Sequence, residues 1–408
     1  MQDRQSFPRA VEAGQHQGSR PGPTPVSRRA FLGGSAAAAA AVGLSLGTAA
    51  PASAASARSR ARHGETPFGP VTVFDGPGAS YARAIRLGGP QTGTARTTLA
   101  TFQQFSLGSP GGFPVYRSED DGRTWHYLST VGGEEGRIWL QPSFYELQRP
   151  FGGLPQGAIL CAGNSLDFNS TRIVLWASTD RGKTWSFLST VAEGGAPRAE
   201  NGFTPVWEPF LLLHRSRLIC YYSDQRDPLY GQKLAHQTTK DLRTWGPVVN
   251  DAVGTDYAKR PGMTTVAKIT NHLWIMTYEY GVSATYYPVH YKLARDPEEF
   301  DASPSIELLD QDGHAPASAP TVSWADYGGK DGTIIVSCND DVDFVINRAA
   351  GDPGAWERMS TPMPRGYSRF TIPLTSPSSW SRSGGVFVIT GAPYGEQAPI
   401  TAGVIQLP

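Results

Sequence analysis

"SEDDGRTW" at residues 118–125 returns as "STDRGKTW" at 178–185, the same Ser-x-Asp-x-Gly-x-Thr-Trp pattern written twice in register. Each copy follows an apolar run, "FPVYRS" or "IVLWAS", and precedes another, "HYLSTV" or "SFLSTV". The pattern is strand, tight turn, strand. An Asp carboxylate suits the turn because it accepts backbone N–H groups across the loop, and Gly supplies a positive φ. A degenerate third copy, "TTKDLRTW" at 238–245, follows at the same interval, and Phe300 and Trp356 hold the matching place in two weaker repeats.

A long period of this kind, made of short strands, predicts an all-β protein, a β-propeller. About 340 residues, from 66 to 408, divide into six blades of about 57, an ordinary blade count. The 46 Gly and 33 Pro fit a fold rich in turns. Thirty-six basic residues balance 36 acidic ones, so no nucleic-acid or membrane-surface partner is expected.

Residues 1–57 stand apart. Ser27-Arg28-Arg29-Ala30-Phe31-Leu32 precedes an Ala/Gly-rich apolar run that ends at Ala52-Ser53-Ala54. A twin-arginine pair before a weakly apolar stretch and a small-x-small site reads as a Tat export signal, so a secreted product is expected. Beyond it no apolar run is long enough to cross a bilayer, so no membrane span is predicted. Cys161, Cys220 and Cys338 all sit inside apolar strand-like runs and are expected to be free core thiols.

The repeat also locates the axis, where propeller sites gather. Six apolar strands end on polar residues at Gln103, Asn164, Ser223, Glu279, Asn339 and Thr390. A second set, usually a residue followed by Pro, precedes them: Gln141, Glu208, Arg260 and Ala319, with Arg83 and Arg369 completing the circle. Two carboxylates stand out among these twelve. Glu208 in "VWEPFLLL" and Glu279 in "IMTYEYG" are acids set among apolar and aromatic neighbours. Acids are rarely placed there without a partner or a task. A carboxylate pair across a pocket is the machinery of glycoside hydrolysis. Glu208, flanked by Trp207, Pro209 and Phe210, has the drier setting and is expected to be the acid/base. Glu279, between Tyr278 and Tyr280 and near Arg260, is expected to stay ionised as the nucleophile.

The turns resemble the Asp boxes of sialidases and related bacterial-neuraminidase-repeat proteins, where such boxes are structural. "WEP" in one blade with "TYEYG" in the next, together with "SDQRDP" (223–228) and "RPGM" (260–263), resembles glycoside hydrolase family 93 from about residue 70 to the end. That resemblance implies an exo-acting α-1,5-L-arabinanase that releases arabinobiose with retention. It also implies no metal cofactor, and the histidines show no metal-ligand spacing. No other cofactor is expected. The partner would be a plant cell-wall oligo- or polysaccharide, met by a monomer. Substrate-binding candidates are Arg83, Gln141, Asn164, Trp207, Asp224, Arg226, Arg260, Tyr278 and Arg369. Trp139, Tyr145, Tyr222 and Tyr280 are further stacking candidates.

Two rivals stay open. Arg83, Arg260 and Arg369 could imitate the arginine triad of an exo-α-sialidase. Against that, "YARAIRL" replaces the usual Arg-Ile-Pro opening, and a Trp-Glu-Pro acid is foreign to sialidases. A non-catalytic carbohydrate-binding propeller is the other.

Overall fold

A computed structural model describes residues 67–88, 97–104, 111–134, 136–270, 272–374 and 384–408; the export signal read at 1–57 lies outside them. The described strands form six antiparallel sheets of four. Five blades are continuous in sequence. Blade 1 opens with Ala79–Arg86 and Thr98–Gln104, blade 2 with Ile138–Glu146 and Ile159–Leu166, and blade 3 with Val206–His214 and Arg217–Asp224. Blade 4 opens with Arg260–Thr270 and Leu273–Gly281, and blade 5 with Thr321–Ala325 and Thr333–Ser337. Blade 6 joins the two ends of the fold: Phe370–Pro373, Gly384–Thr390 and Ile400–Leu407 are completed by Phe68–Phe74 as the outermost strand. The first strands of successive blades adjoin one another in a ring.

Alternation along each strand leaves an apolar face on both sides of a blade, and each seam between blades becomes a core of its own. Leu99, Phe113, Phe144 and Cys161 fill the seam of blades 1 and 2, and Leu160, Leu175, Cys220 and Tyr222 that of 2 and 3. Tyr221, Met276 and Phe300 occupy the next, and Ile275, Tyr291, Val336, Cys338 and Trp356 the one after. All three cysteines are free and buried.

The repeated octapeptides are the turns between third and fourth strands. Asp180 Oδ1 accepts from Lys183 N (3.1 Å), Thr184 N (2.9 Å) and Ser178 Oγ (2.8 Å), while Thr184 Oγ1 donates to Oδ2 (2.6 Å). Asp120 and Asp241 repeat most of these bonds. The Trp then docks on the preceding blade: Trp185 Nε1 donates to Ser129 Oγ (3.1 Å) and Trp245 Nε1 to Ser189 Oγ (3.0 Å). Where the octapeptide has decayed the seam is still made. Tyr221 Oη reaches Pro297 O (2.6 Å) beside buried Phe300, and Tyr291 Oη reaches Gly351 O (2.9 Å) beside Trp356. Phe300 and Trp356 therefore do hold the same place.

Partial burial pushes the Asp180 carboxyl up, but the Thr184, Ser178 and Lys183 donors outweigh it and hold the group at about 2. A depressed folded-state pKa stabilises the fold above the unfolded value near 4, and that contribution is lost as pH falls toward 2. Asp180→Ala is expected to lower stability by about 1 kcal/mol, in the range of losing a helix cap. Thermal unfolding at pH 7 and pH 3 checks this. The gap between variant and wild type should narrow in acid.

Candidate active site

At the axis the chain makes the same bend in every blade. Tyr81, Gln141, Glu208, Met263, Ala319 and Ser368 all have positive φ, between 50° and 63°. In blades 1 to 4 the bend is a bulge, where the pairing of first and second strands slips. The polar residues ending the second strands lie opposite: Gln103 pairs with Ser80, Asn164 with Leu140, Ser223 with Trp207 and Glu279 with Gly262.

This corrects half of the expected inner ring. Gln141, Glu208 and Ala319 sit at the bend, each just before a Pro. Blades 1 and 6 lack that Pro, and the bend falls at Tyr81 and Ser368 rather than at Arg83 and Arg369. In blade 4 Pro261 precedes the bend, which comes at Met263 and not at Arg260. Tyr81, Met263 and Ala319 form a small apolar cluster with Tyr367, drawn from blades 1, 4, 5 and 6.

Glu208 and Glu279 are both half-buried, and their carboxylates feel one another electrostatically. Three donors meet the Glu208 carboxylate. Ser223 Oγ gives its proton to Oε2 (2.6 Å), Met263 N donates to the same oxygen (2.9 Å), and Gln141 Nε2 lies 3.4 Å from Oε1. Gln141 is oriented in turn: its Oε1 accepts from Glu208 N (3.0 Å) and lies 3.4 Å from Asn164 Nδ2, which also donates to Val206 O (2.9 Å). Among the described residues Glu279 has one donor, Ala319 N on Oε2 (2.8 Å).

The electrostatics follow these donors. Burial raises the Glu208 pKa, but Ser223, Met263 N, Arg260 and Arg83 oppose it. Burial raises Glu279 further, to about 8, with the negative charge of Glu208 adding to it; the Ala319 amide and Arg260 offset only part. Both carboxyls are thus pushed up, and Glu208 has the denser set of donors to its charged form. The expected roles rested on Tyr278 and Tyr280 donating to Glu279, and neither hydroxyl does so. Tyr278 Oη binds Ser305 Oγ (2.6 Å), while Tyr280 Oη accepts from Thr255 N (3.1 Å).

The other candidates divide into three groups. Arg260 stands beside the pair as a fixed cation. Its guanidinium is held by Gln232 Oε1 (2.7 Å), Gln225 Oε1 (3.1 Å), Gly231 O (3.3 Å) and Asn201 Oδ1. Trp207 Nε1 shares the Gln225 oxygen (3.0 Å). Arg83 is buried over the Tyr81 ring, 4.2 Å from its centroid, and bonds Ser368 O (2.9 Å) and Oγ (2.8 Å).

Arg369 is fully buried between blades 5 and 6, bonded to Ser337 Oγ (2.8 Å), Val342 O (2.8 Å) and Asp343 O (3.1 Å). Asp224 and Arg226 form a bidentate ion pair (2.9 and 2.8 Å), with Arg226 also on Tyr222 Oη (2.9 Å). Trp139, Tyr145, Tyr222, Tyr278 and Tyr280 pack in the seams.

Sequence reading missed Tyr81, Met263 and Tyr367. Tyr367 Oη lies 3.2 Å from Met263 Sδ, and both glutamate charges raise its pKa on top of burial. It stands two residues before the arginine chosen in "YSRF", as Tyr81 does in "SYARAIRL".

Two electrostatically coupled carboxyls, unequally supplied with donors and carried by neighbouring blades, are the pairing that glycoside hydrolysis uses. Solved structures agree. The chain is 38% identical to a GH93 α-L-arabinofuranosidase of Fusarium graminearum complexed with arabinobiose, covering 83% of this chain and 98% of that one, with a TM-score of 0.77. It is also 38% identical to a Penicillium chrysogenum α-L-arabinanase complexed with arabinobiose, with the same coverage and TM-score. The NanB sialidase from Streptococcus pneumoniae shares the fold at 10% identity, with a TM-score of 0.52 over 84% of this chain and 70% of that one. No protein-family model and no curated protein sequence matches the chain. The chain belongs to glycoside hydrolase family 93, and the protein is a glycoside hydrolase.

Proposed function

We propose that this enzyme is a secreted, monomeric exo-α-1,5-L-arabinanase that releases arabinobiose from non-reducing ends with retention of configuration. The observation that carries the reading is the Glu208–Glu279 pair with its unequal hydrogen-bond donors, in a chain 38% identical to two enzymes bound to arabinobiose. A disaccharide in both relatives favours a site that accommodates two sugar units. Secretion rests on the twin-arginine segment at 27–32.

The roles follow the proton. Glu208, ionised, attacks the anomeric carbon as Glu279 gives its proton to the departing glycosidic oxygen, so one C–O bond forms while the other breaks. Glu279, now a carboxylate, takes a proton from water, whose oxygen displaces Glu208 and restores both groups. This order reverses the one expected from local sequence. Arg369, engaged by Ser337 and four backbone carbonyls, argues against an arginine triad and so against the sialidase alternative.

Debranched arabinan, sialyllactose and a xylan offered to the enzyme, with products separated by chromatography, test the reading. Arabinobiose from arabinan alone, appearing first as the α-anomer by proton NMR, is the expected result. A ladder of long oligomers would overturn exo action, a β-anomer would overturn retention, and release of sialic acid would overturn the substrate class.

A further inference from the structure

We propose that Ser223 is a positioning residue that keeps Glu208 in its charged, attacking form and aims it. The inference rests on the role just given to Glu208 and adds a group that never touches the sugar, because Ser223 is fully buried.

The geometry leaves its hydroxyl one use. Ser223 Oγ lies 3.2 Å from Met263 N, an obligatory donor, so its own proton is free to go elsewhere. It goes to Glu208 Oε2 at 2.6 Å, a separation typical of a hydroxyl bonded to an ionised oxygen. Met263 N reaches the same oxygen, so two donors converge there and leave no room for a proton on Oε2. Glu208 Oε1, whose hydrogen-bond partner among the described residues is the Gln141 amide at 3.4 Å, remains for the anomeric carbon.

The three partners come from different strands: Glu208 from the first of blade 3, Ser223 from its second and Met263 from the first of blade 4. Ser223 therefore ties the carboxylate to the seam as well as to its charge. Other charged or titratable groups also face Glu208: Arg83 and Tyr81 from blade 1, Arg260 and Glu279 from blade 4, and Tyr367 ahead of blade 6. Ser223 is the side chain that touches Glu208 most closely, and it can be removed without changing net charge.

The test is the pH dependence of kcat/KM for wild type, Ser223→Ala and Ser223→Thr on linear arabinan, beside Glu208→Gln. Removing one hydrogen bond to an ionised carboxylate should move the acidic limb up by about one pH unit. Activity should fall about tenfold below that limb and stay within about threefold of wild type on the plateau. The Thr hydroxyl should return the limb toward its original position. If Ser223→Ala does not fold, Ser223→Cys, of similar size and a poor donor, carries the same expectation.

A limb that stays in place while activity falls equally at every pH, with Glu208→Gln inactive, would mean that Ser223 is merely structural and overturns the proposal. A fully active Glu208→Gln would instead remove the catalytic reading on which it rests.

Discussion

Replacing Glu279 by alanine is expected to reduce kcat/KM on linear arabinan by about 10² to 10⁴, the usual contribution of a positioned acid. The loss should depend on the leaving group. An alkoxide cannot depart without the Glu279 proton, whereas a nitrophenolate can, so an aryl arabinobioside should form the glycosyl-enzyme at nearly the normal rate. Azide should then rescue turnover and give the α-azide, because it attacks an intermediate already inverted once. Glu208→Ala should behave differently: inactive on both substrates, with any azide product having the β configuration. The wild-type profile should be bell-shaped, with the basic limb near the value of about 8 held by Glu279, and Glu279→Gln should abolish that limb. If Glu208→Ala gives the α-azide and Glu279→Ala the β-azide, the roles are reversed. If both alanine variants keep full activity, the axial well is not the active site.

The second large effect concerns closure of the ring. Phe68–Phe74 pairs with Ile400–Leu407 and contributes Val73 to the core between blades 6 and 1, with Phe68 and Phe74 packed against it. Deleting residues up to 75 leaves the Ile400–Leu407 strand as a bare edge and uncovers that core. Unpaired apolar edges invite association. The truncated protein is expected to lose its cooperative thermal transition and to elute as aggregates in size-exclusion chromatography. Moving the segment to follow Leu407 through a short turn should restore both, since Phe68 already lies opposite Val404 in an antiparallel pair. A monomeric truncation with a wild-type unfolding midpoint would show that the strand is dispensable.

Much of the architecture was legible because it repeats. Turns built on Asp120, Asp180 and Asp241 announced the blade period, and Glu208 and Glu279 stood out as acids in apolar strands. What stayed hidden depends on partners far away in sequence. The closing strand Phe68–Phe74 precedes blade 1 but belongs to blade 6, and it carries no repeat signature. The arginines were misplaced because the Pro that follows the bend in blades 2, 3 and 5 is missing from blades 1 and 6 and precedes the bend in blade 4. Arg369 looks like a ligand-binding cation in sequence, yet its charge is absorbed by Ser337 and backbone carbonyls. The exchange of roles proposed for the two glutamates has the same origin. The sequence neighbours of Glu279, Tyr278 and Tyr280, turn to Ser305 and Thr255, while the donors that decide the matter, Ser223 and Met263 N, lie 15 and 55 positions from Glu208.

The recurring left-handed bend has a consequence for how such enzymes diversify. Six unrelated residue types, Tyr81, Gln141, Glu208, Met263, Ala319 and Ser368, occupy one backbone conformation, so the bend is imposed by the surrounding sheet and not by what stands there. Each blade thus offers a single address at the axis whose occupant can be exchanged without redrawing the seams. Substitution at these addresses can therefore change the chemistry at the axis while the seams that hold the blades together stay as they are.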